Sequence, residues 1–75
     1  MTCRGIRNTI VREVAAECDV SPRDILGDCR LLNVARARQR VYARLRERGF
    51  TLGQIGMAMG RHHATVLHGL RRVGA

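Results

Sequence analysis

Lysine and tryptophan are absent from this 75-residue chain, which also has only one proline, one tyrosine and one phenylalanine. With Tyr42 and Phe50 as its whole aromatic complement, the chain lacks the stacking platforms on which single-stranded nucleic acids are held. No apolar run approaches the roughly 18 residues of a membrane span, and the first residues lack the basic-then-apolar order of a secretory signal. A cytoplasmic, nucleoid-associated location is therefore expected. Cys3, Cys18 and Cys29 are odd in number and nowhere spaced C-x-x-C, so they support neither a disulfide framework nor a structural zinc site. Cys18 reads as a small core residue and the other two as incidental thiols. The length is that of one domain near the lower limit for a self-sufficient core, with little surface left for an enclosed cleft. An enzyme is not expected, and neither catalytic residues nor a cofactor can be nominated.

Acids are scarce as well: 6 against 14 basic residues, every one an arginine, for a net charge of +8. Such a density of positive charge implies a polyanionic partner, because neutralising phosphates releases condensed counterions. With stacking residues missing, duplex DNA is favoured over RNA.

The apolar residues are spaced for helices. Ile6, Ile10, Val11, Val14 and Cys18 share one face of a helix over about 5–18. Ser21-Pro22-Arg23-Asp24 combines a capping serine, a proline at the first helical position and an acid in the first turn, starting a short helix over 22–26 that holds Ile25 and Leu26 and ends at Gly27. A loop over 28–32 leads to a long helix over about 33–48 with Val34, Val41, Tyr42 and Leu45 inward, stopped by Gly49 in left-handed geometry. Along it Arg36, Arg40 and Arg44 recur every four residues as a basic stripe, with Arg38 and Arg46 on adjacent faces. One side of this helix is a phosphate candidate; a solvated surface is the plainer reading of any single arginine.

The stretch TLGQIGMAMGRHHATVLH, 51–68, reads as a helix-turn-helix within 52–72. Thr51 and Gln54 form a capping box ahead of an apolar run. Ile55, Ala58 and Met59 share the inner face, Gly56 permits close approach of the next helix, and Gly60 supplies a side-chain-free turn. The second helix is expected from about Arg61, with Val66, Leu67, Leu70 and Val73 inward and Arg61, His62, Ala64, Thr65 and His68 outward. Outward residues at the start of such a helix meet base edges in the major groove. The whole is expected to be one all-α unit of about five helices.

Those residues resemble a known family, the C-terminal DNA-binding domain of the bacterial replication initiator DnaA. The likeness covers nearly the whole chain: VREVAAECDVSPRDILG at 11–27, VARARQ at 34–39, Ile55-Gly56, and GRHHATVLH at 60–68. The last is similar to the family signature Gly-Gly-Arg-Asp-His-Ser/Thr-Thr-Val, with a histidine two residues on. The resemblance implies a five-helix, Trp-repressor-like bundle that binds sites of the DnaA-box class, TTATCCACA or a close variant. It implies that Arg30 enters the minor groove and that His62, His63 and Ala64 meet base edges, whereas Arg38, Gln39, Arg46, Arg61, Thr65 and His68 hold phosphates. Base contacts set sequence and phosphate contacts fix register.

The chain departs from the family in four places. His62 stands where the family has an aspartate, so an acceptor becomes a group that can donate, accept or carry charge. Ala64 replaces a hydroxyl residue and offers a methyl contact. One glycine of the paired turn is missing, and Arg30 is the sole arginine just before VAR. There is also no G-x-x-x-x-G-K-[ST] motif, so the expectation is a regulator of transcription or of replication initiation, of bacterial or phage origin, that binds without driving unwinding. A monomer is expected, occupying repeated sites in tandem, with replication or transcription machinery as further partners. The alternative is an adaptor that contacts an initiator or polymerase subunit. A metal site from His62, His63 and His68 misses the i, i+4 geometry of paired ligands, and no nucleophile or orienting carboxylate accompanies them.

Overall fold

Thr2 starts the fold by accepting the Gly5 amide on its hydroxyl at 3.2 Å, so helix α1 runs Cys3–Cys18, two residues ahead of where apolar spacing puts its start. The computed structural model describes the backbone of residues 2–74 and the side chains of residues 2–72. Among them are four further helices: α2 (Pro22–Leu26), α3 (Leu32–Glu47), α4 (Leu52–Met59) and α5 (His63–Gly74). The architecture is all-α.

Three of the helices end in the same way. After α1, Asp19 takes left-handed geometry at φ 55° and the Val20 amide turns back to the Ala15 carbonyl at 3.0 Å. After α3, Gly49 stands at φ 93°, its amide on Arg46 and that of Phe50 on Leu45. After α4, Gly60 stands at φ 68°, with the Arg61 amide 2.8 Å from the Gly56 carbonyl. These paired backward bonds satisfy carbonyls that a helix end otherwise leaves without donors. They also turn the chain sharply, so each following helix packs back on its predecessor.

The helix starts are set by side chains. Ser21 accepts the Arg23 amide at 3.2 Å ahead of Pro22. Thr51 and Gln54 form the reciprocal capping box, with the Gln54 amide on the Thr51 hydroxyl at 3.1 Å and the Thr51 amide on the Gln54 side-chain oxygen at 2.8 Å. At α5 the structure corrects the sequence reading. The Arg61 amide is committed backward to Gly56, so Arg61 belongs to the turn and the helix begins at His63.

α3 is the hub, packed on each of the other four helices. Ile10, Val11 and Val14 of α1, Ile25 of α2, Val41 and Leu45 of α3, Ile55 of α4 and Val66 of α5 are each at most 1% exposed. Burying each contributes about 1.5–3 kcal/mol. Tyr42 joins this core, and Ile6, Cys18, Phe50 and Leu70 pack partly buried at its edge. Leu26, expected inward, is 38% exposed, because a helix of 5 residues turns only Ile25 toward α3. Leu67 is half-buried, and Val73 lies outside the described side chains.

Two glycines set helix spacing. A Cβ on Gly56 would lie 2.5 Å from the Arg61 carbonyl oxygen, and one on Gly69 would lie 2.8 Å from the Tyr42 ring. The first keeps the α4–α5 turn tight. The second seats α5 directly on α3. No described helix is long and apolar enough to cross a membrane.

Candidate nucleic-acid interface

α5 opens with a histidine as its cap. His62 precedes the helix, its Nδ1 accepts the Ala64 amide at 3.1 Å, and its carbonyl accepts the amides of Thr65 and Val66 at 3.0 and 3.3 Å. By helical spacing His62 belongs on the helix surface; the structure instead makes it the residue that starts the helix. The His62 and His63 rings lie with centroids 4.2 Å apart, tilted by 32°. His62, His63, Thr65 and His68 are exposed and Ala64 is half-buried. The start of α5 thus presents imidazole and hydroxyl groups at the positive end of a helix dipole.

Beside this start runs the loop between α2 and α3, which carries the exposed Arg30. Two arginines from different elements hold that loop, and both donate to the Gly27 carbonyl. Arg38 of α3 donates Nε to the Ile25 carbonyl at 2.8 Å, and its Nη2 lies 2.9 Å from the Asp24 and Gly27 carbonyls and 3.2 Å from that of Cys29. Nη2 has two protons for three acceptors, so one proton is shared. Arg61 reaches the same loop from the α4–α5 turn, donating Nη1 to the Asp28 carboxylate at 3.1 Å and Nη2 to the Gly27 carbonyl. The loop that positions Arg30 is therefore fastened to the turn that positions His62 and His63.

These bonds redistribute the arginines named from sequence. Arg38 and Arg61, both phosphate candidates, have much of their hydrogen-bonding capacity engaged in the loop. Arg46, another, donates Nη1 to the Phe50 carbonyl at 2.8 Å beyond the end of α3. The basic stripe is divided: Arg44 is hydrogen-bonded to Glu17 and lies 3.8 Å from Glu13, both on α1. That bond holds the Glu17 carboxyl below its ordinary value against desolvation, helped by the charges of Arg44 and Arg40.

Between α3 and α5 lies a groove of three open clefts that share walls. The first, by the loop, is lined by Arg30, Arg38, Arg61 and Thr65 together with Asp28. The middle one shares Arg38 and Thr65 with it and adds Gln39, His68 and Arg72. The last keeps Gln39 and Arg72 and adds Leu32, Arg36 and Arg40. Asp28 is the single acid among these lining residues, and Arg61 already pairs with it. Tyr42 lines the middle cleft; burial pushes its phenol up, opposed by the charges of Arg61 and Arg38. The groove is long, basic and open, which suits a strand of phosphodiesters better than a small substrate.

Of the residues expected to touch DNA, Arg30, Arg38, Gln39, Arg61, Thr65 and His68 line this groove, and His62, His63 and Ala64 stand at the start of α5. Arg46 lies apart from it, at the far end of α3. Arg72 escapes the sequence reading, although Thr65, His68 and Arg72 have the three- and four-residue spacing of one helix face. Leu31 and Leu32, beside Arg30, are 65% and 64% exposed, so the end of the loop and the start of α3 offer apolar surface next to that arginine. Among the described residues no group of three or more His, Cys, Asp or Glu is placed to hold a metal ion.

Compared with known proteins, residues 7–73 match the family described as bacterial DnaA protein helix-turn-helix. No curated protein and no solved structure matches the chain.

Proposed function

Because this chain belongs to the bacterial DnaA helix-turn-helix family, a membership that supports DNA binding, we propose that it reads duplex DNA sequence-specifically. On this reading it is a small regulator of transcription or replication initiation without ATPase activity of its own. The observation that carries the reading is the groove between α3 and α5, basic along its length and joined at one end to the Arg30 loop.

α5 enters the major groove with His62, His63 and Ala64 toward base edges, and Arg30 enters the adjacent minor groove, where narrow A·T-rich sequence concentrates negative potential. Gln39, Thr65 and His68 hold the phosphates between, with Arg46 on a phosphate farther along. Arg38 and Arg61 contribute mainly by holding Arg30 in register with α5, each keeping an edge on the first cleft. The reading needs no catalytic residue or cofactor. The protein works as a monomer in the nucleoid, side by side with further copies where sites repeat, and competes with an initiator for its boxes or occupies promoters.

A second reading, an adaptor that contacts an initiator or polymerase subunit, draws on one observation. Met57 on α4 is 84% exposed and borders a cleft with Cys3 and Ala58, on a different set of residues from the basic groove.

Selection from a random duplex library at near-physiological salt tests the proposal. Enrichment of TTATCCACA or a close variant supports competition with the initiator, and enrichment of another motif supports a promoter regulator. Absence of any enriched motif overturns sequence-specific reading and favours the adaptor.

A further inference from the structure

The cap at the start of α5 fixes the chemistry of the His62 ring as well as the end of the helix. A backbone amide can only donate, and the Ala64 nitrogen lies 3.1 Å from His62 Nδ1. Nδ1 is therefore the bare, accepting nitrogen, and the proton of the neutral ring is on Nε2. Among the described residues no protein group accepts from Nε2, and the side chain is exposed. The His63 ring, 4.2 Å away, restricts how far the His62 ring can swing.

We infer that His62 presents a fixed Nε2–H donor to the major groove and so selects a base that offers acceptors there. Guanine fits best, with N7 and O6 both accepting and no amine on that edge; thymine offers O4. Cytosine, which offers only its N4 amine, is rejected because two donors would face each other. The family aspartate at this position has the opposite polarity, able only to accept. The exchange to histidine thus inverts the hydrogen-bonding sense at one base while retaining a side chain that can cap the helix. This inference rests on the proposal that α5 reads DNA, and its test separates the two.

Two substitutions keep a capping side chain and differ in what remains to face the base. His62→Asn caps through its amide oxygen and leaves an NH2 donor. His62→Asp caps through one carboxylate oxygen and leaves only acceptors. The measurement is library selection with the native chain and both variants, scored as discrimination between bases at each position rather than as overall affinity, because Asp also adds repulsion from phosphate. At one position the native chain and His62→Asn should favour guanine or thymine over cytosine by about tenfold, the scale of a single hydrogen bond. His62→Asp should reverse that preference toward cytosine or adenine. Long-range 15N–1H correlation spectra of the free native protein provide a readout independent of DNA, with the neutral His62 ring expected as the Nε2–H tautomer. A ring protonated on Nδ1, or averaging between tautomers, overturns the inference whatever the DNA data. A fixed Nε2–H tautomer with identical base preferences in the native chain and His62→Asp overturns readout by His62 and leaves DNA binding standing. No enriched motif with any of the three chains overturns the functional proposal and this inference with it.

Discussion

The two sides of α3 use arginine in opposite ways. Toward α1, Arg44 stands between Glu13 and Glu17, so its charge is answered inside the molecule. Toward α5, Arg36 and Arg40 meet Arg72 in a cleft whose lining includes no acid. The first arrangement joins two helices. The second gathers like charges that repel one another until an anion arrives. Within the α5 side a further division holds: Arg38 and Arg61 bind the loop, whereas Arg30, carried by that loop, is exposed. The location of the counter-charges and carbonyl acceptors distinguishes an arginine that holds the fold from one that is offered to a ligand.

The sharpest way to break this division is Arg38→Ala. It removes the donor facing the carbonyls of Asp24, Ile25, Gly27 and Cys29, so urea unfolding should show a loss of roughly 2–4 kcal/mol. The same variant should lose base preference at the minor-groove positions, because Arg30 is no longer held in place. If Arg38→Ala is as stable as the native chain and weakens all duplexes equally, Arg38 is an ordinary phosphate ligand.

Next in size are Arg30→Ala and His63→Ala. Each should weaken binding to the selected site by about 1–3 kcal/mol in fluorescence anisotropy and flatten discrimination, with little change in stability. Equal losses on selected and random duplexes would contradict base reading by these two residues.

Much of the fold is legible in the sequence because its signals are local. The capping box at Thr51 and Gln54, the Ser21-Pro22 start, the left-handed Gly49 and Gly60, and the spacing of Ile10, Val14, Val41 and Leu45 all act within a turn or two of helix. Most of what is not legible depends on partners distant in sequence. Arg38 reads as one more surface arginine until α2 brings carbonyls beneath it, and Arg44 reads as part of a stripe until Glu13 and Glu17 arrive from α1. Apolar spacing puts the start of α5 at Arg61 because the backward bond from its amide to Gly56 has no side-chain signature. Gly69 gives no warning either, since its need for a missing Cβ comes from the Tyr42 ring on another helix.

Smaller effects are expected from Arg36→Ala, Arg40→Ala and Arg72→Ala. Each should leave stability within about 0.5 kcal/mol. Each should make log affinity fall less steeply with log salt, by about 0.9 in slope for every phosphate that the missing arginine no longer neutralises. An unchanged slope in all three would remove this end of the groove from the interface.

The smallest effect belongs to the opposite side of α3. Arg44 holds the Glu17 carboxyl below its usual value of 4.5, so the folded state releases that proton more readily than the unfolded chain does. The resulting stabilisation is present above the unfolded-state pKa and is lost as pH falls through the lower folded-state value. Arg44→Ala should therefore flatten the acid limb of a stability profile below about pH 5 and leave duplex affinity nearly unchanged. A fall in affinity comparable to that of Arg30→Ala would show that Arg44 serves the ligand as well.

The most direct measurement is a titration of the 15N-labelled protein with duplex DNA, followed residue by residue in amide spectra. Changes should concentrate at Arg30–Leu32, at His62–His68 and along Arg36–Arg40, leaving Glu13, Glu17 and Arg44 in place. Changes centred instead on Cys3, Met57 and Ala58, or spread evenly over the surface, would contradict binding through the groove between α3 and α5.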